Sequence, residues 1–240
     1  MTTEEFFKNL ASKVELTQSE ADRIAKKHNW LREKLREKLS VEDDFLTGSY
    51  ARNTMIRPKD GEKFDVDFFL AFNKEDYGES ELADLLKTVK VALDEIKPGD
   101  SDIEKIDDKQ RRSIGVIYKD NFQIDVVPAV QIEKDKLYKI FDKRTQAPVN
   151  SNPKLHGKNL TDANDATASG SVKRLVPIVK MLKSWKRAKC DYLKSFHLEL
   201  LAVETLKDEE ITSFSTGIAK FFNSVDLKPS LTDPANAENV

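Results

Sequence analysis

Phe64-Asp65-Val66-Asp67-Phe68-Phe69-Leu70-Ala71-Phe72 is the least ambiguous segment of the chain. It is rich in aromatic and β-branched residues and follows the turn formers Pro58, Lys59, Asp60 and Gly61, so it reads as a β-strand. Side chains alternate faces along a strand, which puts Asp65 and Asp67 on one face and Phe64, Val66 and Phe68 on the other, toward a core. Two carboxylates side by side repel unless a cation lies between them. Residues 113–118 and 122–127 are two further apolar strands, split by Lys119, Asp120 and Asn121 as in a hairpin. The second carries Asp125, with Ile124 and Val126 on its opposite face. If the strands are neighbours, three carboxylates converge as a pair of Mg²⁺ ions about 3.5–4 Å apart requires. Taken singly, each part has an ordinary reading: Asp-x-Asp as a solvated strand face, Asp125 as a hydrogen-bonded hairpin residue.

Upstream, Phe45 and Leu46 form a short extended segment leading to Thr47, Gly48 and Ser49, a tight turn and the start of a helix. A glycine there lets backbone approach a phosphate, and a helix start offers free N–H groups. Thr17 and Glu20 have capping-box spacing, and Ile24, Leu31, Leu35 and Leu39 repeat at helical spacing over residues 19–39. Residues 80–96 read as a second amphipathic helix, ended by Pro98 and Gly99. Residues 150–170, rich in Asn, Asp, Ser, Thr and Gly, read as a long surface connection between lobes. Over residues 171–189 a helix puts Leu175, Ile178, Val179, Leu182 and Trp185 on a core-facing side, with Pro177 kinking it or lying in its first turn. The opposite stripe, Lys173, Lys180, Lys183 and Arg187, is expected to be positive and to attract a polyanion. Residues 198–206 and 218–222 read as helical, and 233–236 as a loop. Strands mixed with long helices mean an α/β or α+β fold. The expected division is a catalytic lobe over 1–150 and a helical lobe over 151–240.

Composition narrows the function. With 240 residues the chain can bury a sizeable core without disulfides, and its single cysteine, Cys190, excludes a cysteine-rich zinc site. His28, His156 and His197 lack zinc-site spacing, which favours a hard, oxygen-bound metal. The net charge of −2 argues against a surface devoted to nucleic acid, and no DNA partner is expected. There is no signal peptide and no apolar run of bilayer length, so a cytoplasmic protein without a membrane partner is expected.

Three stretches together resemble a known family: Thr47-Gly48-Ser49-Tyr50-Ala51-Arg52-Asn53-Thr54-Met55-Ile56, Phe64-Asp65-Val66-Asp67-Phe68-Phe69 and Gln123-Ile124-Asp125-Val126-Val127-Pro128. They resemble the cyclic oligonucleotide synthases of bacterial anti-phage signalling, relatives of animal cyclic GMP-AMP synthase and oligoadenylate synthases in the polymerase-β-like superfamily. Lys180-Met181-Leu182-Lys183-Ser184-Trp185, Ser195-Phe196-His197-Leu198-Glu199-Leu200-Leu201 and Asp233-Pro234-Ala235-Asn236 extend the likeness from about residue 40 onward. The resemblance implies an α+β fold, with a mixed-sheet nucleotidyltransferase lobe and a helical second lobe. It implies that Gly48 and Ser49 cradle the donor triphosphate, that Asp65 and Asp67 hold two Mg²⁺ ions (or Mn²⁺), and that Asp125 holds the ion activating the attacking hydroxyl. Lys183 and Ser195 match triphosphate contacts, and Phe196 matches an aromatic that stacks on a base, whereas Trp185 reads as core. Implied partners are NTP substrates, a regulatory protein and a downstream effector triggered by the product. Family members generally continue with further helices, so the chain is expected to stop short at Val240. The rival readings are nucleotide transfer to an RNA end, as in CCA-adding enzymes, transfer to a protein or RNA as in antitoxin-type enzymes, and a silent nucleotide-binding module.

Overall fold

The structure is a computed structural model that describes residues 1–78, 81–190, 192–225 and 231–234. By contacts the chain forms two compact units, one of Gln18–Ala51 with Pro58–Lys154, the other of Met1–Thr17, Arg52–Arg57 and Leu155–Val240. Met1–Thr17 and Arg52–Arg57 therefore group with the C-terminal helices, which a single boundary near residue 150 does not describe.

The first unit is built on a mixed sheet of seven strands. β1 (Asp43–Thr47), β2 (Phe64–Asn73), β5 (Phe122–Glu133), β4 (Ile114–Tyr118) and β3 (Ile103–Asp107) lie in the order β1-β2-β5-β4-β3. β6 (Leu137–Asp142) pairs with the far half of β5, and β7 (Ala147–Ser151) pairs with β6. β2 and β5 run parallel, while the other pairs are antiparallel. The hairpin expected around Lys119 to Asn121 is present, with Asn121 in the left-handed region at φ 62°. The Gly48 turn leads into α3 (Gly48–Ala51), a single helical turn.

Strand alternation sorts the faces of β2 as the sequence requires. Phe64, Val66, Phe68, Leu70 and Phe72 are all buried, and the rings of His28 and Phe68 meet edge to face. That partner comes from α2 (Gln18–Lys38), which buries Ile24, Leu31 and Leu35, while α4 (Leu82–Ile96) buries a stripe from Leu82 to Ile96. Ser80, at the start of the expected second helix, lies outside the described residues. On the other face Phe69 and Ala71 join Ala129, Tyr138 and Ile140 in a smaller core, so Asp65 and Asp67 stand at the polar end of an otherwise apolar face.

The second unit is helical: α1 (Thr3–Val14), α5 (Pro153–Ala166), α6 (Leu175–Lys189), α7 (Ser195–Leu206) and α8 (Phe214–Ser224). Its core is Leu175, Ile178, Val179, Leu182, Leu198, Leu201 and neighbours, against which Phe7, Leu10 and Ala11 of α1 pack. Residues 150–170 are not the expected connection, because most of that stretch is α5. Only Leu160 and Ala163 are buried on it, so its polar surface hid the helical period. Pro177 lies in the first turn of α6, where its missing N–H costs nothing. The lysine stripe is corrected too, since Lys180 and Lys183 are buried. Trp185 is 39% exposed rather than core, with its ring edge against Phe222. Of the expected terminal loop, Asp233 and Pro234 are described, while Ala235 and Asn236 lie outside the described residues.

Candidate metal-binding active site

The register of β2 against β5 places Asp67 beside Asp125. Asp65, one side-chain period earlier on β2, shares their face. One carboxylate oxygen from each of Asp65, Asp67 and Asp125 lies within 4.8 Å of the others. Three hard oxygen donors gathered this closely could hold a divalent cation. Burial pushes the Asp125 carboxyl up from its ordinary value and the Asp65 charge adds to this, against hydrogen bonds from Gln123 and Gln110. Three acidic groups whose mutual repulsion a cation relieves, all with hard donors, fit divalent metal.

The antiparallel pairing of β1 with β2 sets Thr47 opposite Asp67, and Gly48 follows at once. Gly48 has φ 66°, and a methyl group on it would overlap the Asp67 carboxylate. Only glycine meets both conditions, so the turn and the carboxylates form one piece of structure. Ser49 is half-buried in the same turn.

Gly48, Ser49, Asp65, Asp67 and Asp125 thus belong to the sheet unit, while Lys183, Ser195 and Phe196 belong to the helical one. Lys183 donates to the Thr54 carbonyl and hydroxyl oxygens, each at 3.0 Å, and pairs with Glu199. Glu199 in turn receives both arms of Arg52, at 2.9 and 3.1 Å. Burial alone would raise the Glu199 carboxyl, but Lys183 and Arg52 outweigh it and hold it low. Ser195 opens α7 and is exposed. Phe196 lies between the His156 ring, with centroids 4.9 Å apart, and the Arg52 guanidinium at 5.1 Å. Arg52 and Glu199 were not singled out in the sequence, because a buried ion pair between distant residues leaves no periodic signal.

Residues 1–164 match the family described as Second Messenger Oligonucleotide or Dinucleotide Synthetase domain, which is more than half of the chain. The chain belongs to that family. The synthetase is a nucleotidyltransferase that joins nucleotides into second messengers. It is 29% identical to the cyclic AMP-AMP-AMP synthase of Acinetobacter sp., across all of this chain and 71% of that protein. The synthetase shares its fold with E. coli MS115-1 CdnC, solved as a CdnC:HORMA-deltaN complex, at TM-score 0.75 and 20% identity over 99% of this chain and 82% of that one. It also shares it with Elizabethkingia meningoseptica CdnE cyclic dinucleotide synthase, solved with GTP and Apcpp, at TM-score 0.67 and 18% identity over 93% and 83% of the two chains. Among the described residues no helix of the synthetase is long and apolar enough to cross a membrane.

Proposed function

We propose that this synthetase makes a cyclic di- or trinucleotide from NTPs, in bacterial anti-phage signalling, with Asp65, Asp67 and Asp125 holding two Mg²⁺ ions. The carrying observation is the pairing of Asp67 with Asp125 while Gly48 lies against the Asp67 carboxylate. A hydroxyl attacks the α-phosphorus of an NTP in line, a new P–O bond forms, the bond to the bridging oxygen of the leaving pyrophosphate breaks, and the hydroxyl proton passes to solvent. When bound, the ions would stabilise charge on the attacking and leaving oxygens. The chain itself aligns the reactants: Gly48 and Ser49 cradle the donor triphosphate, and the three carboxylates fix where the cations sit. Lys183 and Ser195 as triphosphate contacts and Phe196 as a base-stacking ring rest on family resemblance. For Lys183 that role means exchanging one of its bonds to Thr54 or Glu199 for phosphate.

NTP substrates, a regulatory protein and an effector that answers the product are the partners in this reading, in the cytoplasm. The matched Acinetobacter synthase makes a cyclic trinucleotide by its name, and the matched CdnC was solved with HORMA, which supports both the product class and the regulatory partner. The test is incubation with Mg²⁺ or Mn²⁺ and labelled NTPs, phosphatase treatment and separation. Small phosphatase-resistant products are expected from wild type and none from Asp67→Ala. Label transferred instead to added tRNA or to protein would replace this reading by an RNA- or protein-directed one.

A further inference from the structure

Residues 108–113 connect β3 to β4, and this connection reaches into the carboxylate centre. Gln110 Nε2 donates to Asp125 Oδ1 at 2.8 Å, and Gln123 Nε2 donates to the same oxygen at 2.5 Å. Ser113 Oγ donates to Gln110 Oε1, which determines that the NH₂ end of that amide faces Asp125. Oδ2 of Asp125 receives neither amide. Across the ladder Gly115 pairs with Asp125, and a methyl group there would come within 3.1 Å of Gln123 Nε2 and 3.4 Å of Gln110 Nε2. Gly115 has no positive φ, so what it supplies is room for two amides above the carboxylate.

The connection is itself fastened on both sides of Gln110. Arg112 Nε donates to Asp142 at 2.9 Å, and Arg111 forms a second ion pair with the same buried carboxylate. The Lys143 amide donates to the Arg111 carbonyl oxygen at 2.9 Å, and its Nζ reaches the Ser113 carbonyl oxygen at 3.2 Å and the Asp108 carbonyl oxygen. An irregular connection held this tightly presents Gln110 as a fixed donor rather than one that searches for a partner.

We propose that Gln110, set by Ser113 and working with Gln123, is a positioning residue for nucleotidyl transfer: it occupies Asp125 Oδ1 and so turns Oδ2 toward the metal as a single-oxygen ligand. A carboxylate free to rotate could offer either oxygen or chelate with both, and would spend part of its time in geometries unsuited to holding the attacking hydroxyl. This rests on the reading of Asp125 as a metal ligand, and the test separates the two. Mn²⁺ is titrated into nucleotide-free protein and the free ion read by electron paramagnetic resonance, for wild type, Gln110→Leu, Ser113→Ala and Asp125→Ala. Outer-partner substitutions weaken metal binding on the order of 10- to 100-fold. Gln110→Leu is expected near the lower end of that range, with Ser113→Ala in the same direction but smaller. The Mg²⁺ concentration for half-maximal turnover rises in step, while turnover at saturating Mg²⁺ largely recovers. Wild-type Mn²⁺ affinity in both Gln110→Leu and Ser113→Ala, with affinity lost in Asp125→Ala, overturns the positioning role alone. Wild-type affinity in Asp125→Ala overturns the ligand reading as well. If Gln110→Leu does not fold, Ser113→Ala, which removes one hydroxyl, decides the matter by the same titration.

Discussion

At position 48 any side chain meets two independent penalties. A non-glycine residue at positive φ costs about 1–2 kcal/mol, and a methyl there also displaces the Asp67 carboxylate. Gly48→Ala is therefore expected to lower turnover by on the order of 100-fold, as a misplacement of about 1 Å does, with only a modest fall in melting temperature. Near-wild-type turnover would show that Asp67 need not sit where it does. Asp65→Ala and Asp67→Ala have the opposite signature: each relieves repulsion, so the metal-free protein melts no lower than wild type while the rise in melting temperature on adding Mg²⁺ disappears. A metal-free variant that melts well below wild type would assign these residues a structural role. These aspartates were legible because strand alternation fixes faces from sequence alone, and the β2–β5 register then supplied the neighbour relation that sequence left open. Gln110 was not legible, since no period relates a loop residue to Asp125 and only the folded connection brings them together.

Arg52–Arg57 runs directly on from α3, and polar side chains of α6 and α7 fasten it residue by residue. Glu199 grips Arg52, Lys180 donates to Asn53 at 3.1 Å, Lys183 to Thr54 at 3.0 Å and Arg187 to the Arg57 carbonyl oxygen at 2.9 Å. Glu199→Ala leaves two buried cations without their anion, which costs about 3–5 kcal/mol, measurable by denaturant melts. A loss below about 1 kcal/mol would mean that the cations find other partners. A pattern argument assigns lysine to solvent, whereas on α6 Lys180 and Lys183 face inward and the anions that make their burial tolerable, Glu15 and Glu199, come from distant parts of the chain. β6 was missed for the same kind of reason: Tyr138, Ile140 and Asp142 all face inward, and the buried aspartate breaks the apolar alternation. Burial alone would raise the Asp142 carboxyl, but Arg111, Arg112 and the Arg144 amide outweigh it and hold it well below the usual carboxylate range. A folded value below the unfolded one contributes stability that is complete above the unfolded value and lost as pH falls through the folded one. Asp142→Asn should accordingly cost about 2 kcal/mol near neutral pH. The gap in melting temperature from wild type should narrow progressively as pH falls below about 5, and a gap independent of pH would rule out the carboxylate charge as its source.

On the scale of the whole chain, the polypeptide passes repeatedly between its two units instead of completing one before starting the next. Apolar spacing located α2, α4, α6, α7 and α8 but neither α1 nor α5, and it left this interleaving unseen, because α1 carries no label in sequence saying which core it serves. Phe7, Leu10 and Ala11 pack on a core whose buried members all lie beyond residue 155. A fragment ending at residue 154 should therefore keep the sheet's amide protection in hydrogen exchange while α1 exchanges freely, and equal protection of α1 would show that it has a second packing partner. The parallel pairing of β2 with β5 has a kinetic side as well. Two strands so distant along the chain can align only after the intervening polypeptide has closed into a loop, which is among the slower events of folding. The carboxylate cluster is complete only from that moment, so a divalent cation held there would act as a latch on the finished register, and adding Mg²⁺ should slow unfolding far more than it hastens refolding.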